Sequence, residues 1–458
     1  MDQLPQITGG SATRIIQLIQ ASTSPSHIRQ IQAQLLTQNF ARDTYVVPHF
    51  IRACQSLSLL DVALNLITRF KKTHTFVCNA LIRAFAHSRV RSKPLYLYTF
   101  MCRNFILSNH MTFPLLLKSF SDFRELTNGM CLHSHVVKLG HSDDVYVQNS
   151  LLNLYAGCGQ MGMCFNVFDE MAQRDVVSWT VLVAGNRMAG KYTDALVAFE
   201  KMVGVGVAPN EVAAVNALAA CAKLGAVEMG QWIYDWVRES GWELDVILGT
   251  SLVDMFCKCR KVEEAVHVFD RMRVKNSFTW NSMIKGLALA GNGQEAVRYF
   301  YRMEQEGIQL DAVSVLNALF ACNHSGLVRS GREIFDSLID GRYDYDLEPN
   351  VRHYACMIDL LARAGCLSDA LQTVKQMPFK PTKVVWQAFL AGCRAHGNLE
   401  LSEMAAWRLV ELEPLNVSYY VLLSNLYAQM GRWEDVEGVG KLMKARGLRK
   451  SPDPGASG

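Results

Sequence analysis

The chain repeats itself at an offset of 101 residues. The stretch SLLNLYAGCGQMGMCFNVFDEM from Ser150 matches SLVDMFCKCRKVEEAVHVFDRM from Ser251, and VVSWTVLVAG from Val176 matches SFTWNSMIKG from Ser277. The segment TFVCNALIRA from Thr75 precedes Val176 by the same interval. Such self-similarity marks an array in which no unit buries its apolar face alone and stacked neighbours do. The 101-residue unit divides into three. Segments of 31 residues start at Thr44, Val145 and Val246, and segments of 35 start at Thr75, Val176 and Ser277. A second kind of 35 starts at His110 and Glu211. Its third copy, 312–350, is four residues longer, and the polar stretch 341–346 is where the extra residues belong.

Each segment reads as two short helices. The fifteenth residue is glycine in six of them, Gly159, Gly190, Gly225, Gly291, Gly326 and Gly365, as suits the left-handed position that ends a first helix. The second helix then carries an Ala/Phe/Met stripe: Ala195, Phe199 and Met202; Ala265, Phe269 and Met272; Ala296, Phe300 and Met303. Spacings of four and three put each trio on one helical face. The predicted fold is all-α, a right-handed superhelical α-solenoid of helix-turn-helix repeats with a concave inner surface. One copy is degenerate, with Arg89 in place of the turn glycine and Pro94 in place of the stripe alanine. A proline near a helix start is tolerated, so this copy reads as a weaker module.

Composition sets limits. Half of the 458 residues are apolar and 19% are charged, enough for a large core and too apolar for wholesale disorder. The longest clean apolar run, 212–222, ends at Lys223 and is shorter than a membrane span. A net charge of +4 is weaker than a dedicated duplex-DNA binder carries, yet single strands can be held by stacking and base-edge contacts. Thirteen scattered cysteines suit a reducing compartment. The first 42 residues hold one acid, Asp2, with Arg14, Arg29 and Arg42, a composition like that of an organelle transit peptide.

The 31/35/35 rhythm, with FDEM and FDRM closing the short repeats, resembles the PLS subclass of plant pentatricopeptide-repeat proteins. KLGHSDDVYVQNSLLNLYAGCG, HSGLVRSGREIF and HYACMIDLLARAG are similar to stretches of that family too. The resemblance implies a short leader (1–10), a repeat array (11–382), two E-type motifs (383–416 and 417–450, the second with YYVLLSNLYAQMGRWEDV) and a short tail (451–458). Family members commonly continue past a segment like GLRKSP, many into a cytidine-deaminase domain; here GLRKSP is followed by DPGASG. No histidine has Glu two positions later and no two cysteines are three apart, so the zinc-deaminase signature is missing. Cys257 and Cys259, and His133 and His135, read as packing residues rather than metal ligands. No enzyme activity, metal or cofactor is expected.

In the family each repeat faces one base, read by the fifth residue of the first helix together with the last residue of the repeat. Carried over, the pairs are Asn79 with Asn109, Asn149 with Asp175, Thr180 with Asn210, Thr250 with Asn276, and Asn281 with Asp311. The plainer alternative is that these residues are helix N-caps. The second residues, Phe76, Tyr146, Val177, Ile247 and Phe278, would wedge between bases, with inter-repeat core as the competing reading for Val177 and Ile247. Pro114, Val215 and Leu316 at the fifth position cannot hydrogen-bond through their side chains, so their repeats do not read. In chain order from Thr75 the resemblance implies pyrimidine, unread, U, A, unread, A, U. It also implies a specificity factor for C-to-U editing of single-stranded organellar RNA, in mitochondrion or chloroplast with the mitochondrion favoured. A deaminase-bearing protein would join through the E-type motifs. The alternatives are splicing, stability or translation of an organellar transcript, or a protein-binding scaffold like a tetratricopeptide array.

Overall fold

The structure, a computed structural model, describes residues 11–70, 73–88, 90, 92–343 and 347–448. These residues form 26 α-helices and no strand. The chain divides into two compact units, 1–220 and 221–458. Each is a stack of antiparallel helix pairs. The expected leader and tail lie outside the described residues, as do Arg89 and positions 344–346 of the long copy.

First helices start where the repeat boundaries fall. Thr75–His87, Val145–Gly157, Val176–Met188 and Glu211–Leu224 begin on the segment starts, and so do Val246–Lys258, Ser277–Leu289 and Ala312–Ser325. The reason is chemical. The residue before each start is repeatedly Asp or Asn, whose side chain accepts the free N–H groups of the first turn. Asp144, Asp175, Asp245, Asn276 and Asp311 all cap in this way. In the second helices the Ala/Phe/Met trios are buried. Phe168 meets Trp179 edge to face at 4.7 Å, and the pair 101 residues later, Phe269 and Trp280, repeats the contact at 4.7 Å. Close approach of neighbouring first helices is enforced at Gly286, where an added Cβ would collide with Cys257. The degenerate copy still forms its second helix, Ser92–Arg103, with Pro94 buried in the first turn.

The six turn glycines all adopt positive φ, between 65° and 87°. The same left-handed turn recurs where the residue is not glycine: Ser58, Arg124 and Arg260, also at the fifteenth position, have φ of 58°, 56° and 60°. Stacking imposes the turn whether or not the residue favours it. For a side chain with a Cβ this conformation costs about 1–2 kcal/mol, of which glycine's greater freedom in the unfolded chain returns roughly half. Arg260 is exposed. Arg260→Gly should therefore stabilise the protein by about 0.5–1 kcal/mol, read as a higher urea midpoint with unchanged helical content. A lower midpoint would show that the arginine side chain contributes more than its backbone costs.

Candidate nucleic-acid interface

Two positions at the start of each repeat define the candidate surface, the second and the fifth. The second residues are exposed in spite of being apolar: Phe76, Tyr146, Val177, Ile247 and Phe278 range from 42 to 77% exposed. Val177 and Ile247 are thus excluded from the inter-repeat core. The pattern is wider than the sequence reading had it. Tyr45, Met111, Val212, Val313 and Val384, at the same register in other repeats, are also exposed. Exposed apolar side chains thus recur at one register from repeat to repeat, a regularity that burial in the core does not require.

The fifth residues are mostly buried and polar, and the structure brings them to their proposed partners. Asn79 Nδ2 donates to Asn109 Oδ1 at 3.1 Å. Asn149 Nδ2 donates to both carboxylate oxygens of Asp175, at 3.2 and 3.1 Å. Thr180 Oγ1 lies 3.1 Å from Asn210 Oδ1 and 2.6 Å from the Val176 carbonyl, so its one proton is shared between the two acceptors. Asn281 Nδ2 donates to Asp311 at 3.2 and 3.4 Å. Thr250 is the exception: its Oγ1 bonds Thr279 Oγ1 at 2.7 Å, and Thr279 in turn donates to Asn276 Oδ1 at 3.1 Å.

The N-cap alternative holds for one member of each pair. Asp175 caps through Ser178 N at 2.8 Å, Asn210 through Ala213 N at 2.8 Å and Asp311 through Ser314 N at 2.7 Å. It does not account for the other member, which sits inside a helix and reaches across to the cap. The third residue of the next repeat, missed by the sequence reading, carries a hydroxyl after four of the five pairs, and in Thr112, Thr279 and Ser314 that hydroxyl bonds a side chain of the pair. Thr112, Ser178, Thr279 and Ser314 are fully buried. The single proton of Thr112 Oγ1 is shared between Asn79 Oδ1 at 2.9 Å and Asn109 Oδ1 at 3.0 Å. The signal was present as a hydroxyl three residues after Asn109, Asp175, Asn276 and Asp311, the spacing of a capping box, whereas Ala213 follows Asn210.

These bonds decide which polar edge of each pair is uncommitted. A backbone N–H can only be accepted by oxygen, so in Asn109, Asn210 and Asn276 the Oδ1 atom is turned into the cap. The Nδ2 amide is then the edge left over, a donor. In Asp175 and Asp311 the Oδ1 atom serves the cap, while Oδ2 receives only the asparagine amide. A carboxylate oxygen holds two lone pairs, so an acceptor is left over. Asn-ended and Asp-ended pairs thus offer opposite hydrogen-bonding edges.

The residues weighed as metal ligands pack instead. Burial pushes the Cys257 thiol up to about 12, so it stays protonated. His133 Nδ1 bonds Tyr155 Oη at 2.8 Å, and burial lowers its pKa. His135 Nδ1 bonds Tyr98 Oη at 2.9 Å. Among the described residues no three His, Cys, Asp or Glu side chains gather as a metal site, and no helix is long and apolar enough to cross a membrane.

Family models match the pentatricopeptide repeat at residues 149–176, 177–207, 250–277, 278–308 and 352–380, and the E motif at 396–457. A pentatricopeptide repeat-containing protein of Arabidopsis thaliana is 33% identical over 450 residues, covering 97% of this chain and 74% of that protein. The chain belongs to the pentatricopeptide-repeat family. Another Arabidopsis member, 34% identical over 97% of this chain and 72% of its own length, is named chloroplastic/mitochondrial. Among solved structures, the pentatricopeptide repeat protein PPR10 in complex with an 18-nt psaJ RNA element matches with a TM-score of 0.73 at 18% identity. The match covers 96% of this chain and 65% of that one, so this chain spans just under two thirds of the solved protein. That likeness establishes the shared repeat-solenoid fold.

Proposed function

We propose that this protein binds single-stranded RNA in a sequence-specific manner and specifies sites of C-to-U editing in an organellar transcript. The observation that carries the reading is the repeated pairing of a polar couple with an exposed apolar neighbour along the first helices. The apolar or aromatic second residue gives each base a face to stack on, worth about 1–3 kcal/mol per base for aromatics. The couple meets the base edge. An acceptor left by Asn149–Asp175 and Asn281–Asp311 suits a base with a ring N–H, as in uracil, and repels the ring acceptor of adenine or cytosine. A donor left by Thr180–Asn210 and Thr250–Asn276 suits the ring acceptor of adenine. This chemistry agrees with the base string implied by the family, and the RNA bound to the structurally similar PPR10 supports the class of ligand. The E motif and the relative named chloroplastic/mitochondrial support the editing role and the organelle. In this reading the deaminase is supplied in trans, through the E-type helix pairs.

Sequencing organellar transcripts from plants that lack the protein tests the role. One or a few cytidines should remain unedited, each about four nucleotides beyond the stretch read by the last repeat, at one base per repeat. Full editing at every site together with a processing or splicing defect would replace editing by the alternative role.

A further inference from the structure

We infer that the first three 31/35-residue repeats carry a dedicated phosphate track, Arg52, Arg83 and Lys118, that grips the RNA backbone without reading bases. The inference rests on the RNA-binding reading above. Counting from the segment starts at Thr44, Thr75 and His110, the three cations occupy one register, the ninth residue. That is four residues beyond the fifth, so each lies on the same helical face as the fifth residue, about 5–6 Å further along.

All three are exposed. Among the described residues none has an acid within ion-pair distance, although sixteen such pairs occur among those residues. They line two adjoining grooves. The first, about 640 Å³, holds Arg52 and Arg83 beside Phe76, Asn79 and Asn109. The second, about 730 Å³, shares Arg83 and adds Lys118, with His87 and Asp122 also on its wall. The grooves therefore join the candidate base site of the Thr75 repeat to a line of three cations that form no ion pair.

The flanking repeats have proline at the fifth position, Pro48 and Pro114, which can neither donate nor accept there. They cannot read a base, but they keep the cation. Later repeats of the same unit do not: the ninth residues are Asn153, Ala184 and Ala219. In the second unit the register holds Asp254 and Asp359, each neutralised by a cation on its own helix, Lys258 at 2.6 Å and Arg363 at 3.1 Å. An unpaired cation at this register is thus a property of the N-terminal repeats, with Lys285 a lone later instance.

Each phosphate neutralised on a single strand contributes about 0.7 to the slope of log affinity against log salt. The full-length triple variant Arg52→Gln, Arg83→Gln, Lys118→Gln should lower the magnitude of that slope by about 2 on a synthetic oligonucleotide carrying the implied base string. Its preference among single-base variants should not change. The charge-keeping variant Arg52→Lys, Arg83→Lys, Lys118→Arg should retain the slope, because a phosphate accepts either cation. Lys138→Gln, an exposed change outside these grooves, should have no effect. An unchanged slope in the triple glutamine variant, with wild-type protein binding normally, would overturn the track while leaving base reading intact. Wild-type protein that does not bind the oligonucleotide at low salt would overturn both.

Discussion

The double substitution Thr180→Asn with Asn210→Asp should move the preference of that repeat from adenine to uridine and leave every other position unaltered. The swap replaces a leftover amide donor by a leftover carboxylate acceptor, copying the Asn149–Asp175 couple one repeat earlier, where Asn149 Nδ2 holds both oxygens of Asp175. An acceptor pairs with the uracil N3–H and faces the adenine N1 lone pair at a like-signed contact. Discrimination by a good base-edge contact is worth about 1–3 kcal/mol, or roughly 5- to 150-fold in affinity ratio. The fold should not object. Asn210 caps its helix through Oδ1, accepting from Ala213 N at 2.8 Å, and aspartate caps equally well. Competition between oligonucleotides differing only at this base measures the outcome. Retained adenine preference in the folded double variant would show that these two side chains do not set it.

Asn186→Leu should raise stability by about 2 kcal/mol, within the range of 1–3 kcal/mol for relieving an unpaired buried polar group. Asn186 is fully buried, and neither Oδ1 nor Nδ2 has a hydrogen-bond partner. The equivalent residues 101 positions before and after are Phe85 and Leu287, both buried. The first helix at this point is designed around an apolar side chain, and leucine matches asparagine closely in shape. A rise in the urea midpoint with unchanged RNA affinity is the expected result. A lower midpoint would mean that the amide is satisfied by a water held inside the stack.

The repeat architecture was legible because the spacing carries it. Seven segment starts coincide with first-helix starts, since each is preceded by a capping residue whose chemistry is readable without coordinates. The turn glycines were legible for the same reason, but Ser58, Arg124 and Arg260 were not, because their left-handed backbone is imposed by stacking rather than favoured by the residue. The exposed side of the first helices was only half legible. Val176–Met188 and Ser277–Leu289 are apolar around most of their circumference, so periodicity could not say that Val177 faces out and Val181 faces in. The hydroxyls of Thr112, Thr279 and Ser314 escaped notice because a Ser or Thr at this register is unremarkable until its bond to the preceding couple is seen. Cations such as Arg52, Arg83 and Lys118 are invisible to any count of net charge, which averages them with the paired acids of the second unit.

The most direct measurement is the affinity of the purified protein for the implied base string and for every single-base change in it, at one salt concentration. Changes opposite Asn149–Asp175, Thr180–Asn210, Thr250–Asn276 and Asn281–Asp311 should each weaken binding by roughly 5- to 150-fold. Changes opposite the repeats of Pro114 and Val215 should alter it little, because those side chains offer no hydrogen bond. Equal affinity for all variants would contradict the account and leave an array that holds RNA by shape and charge alone.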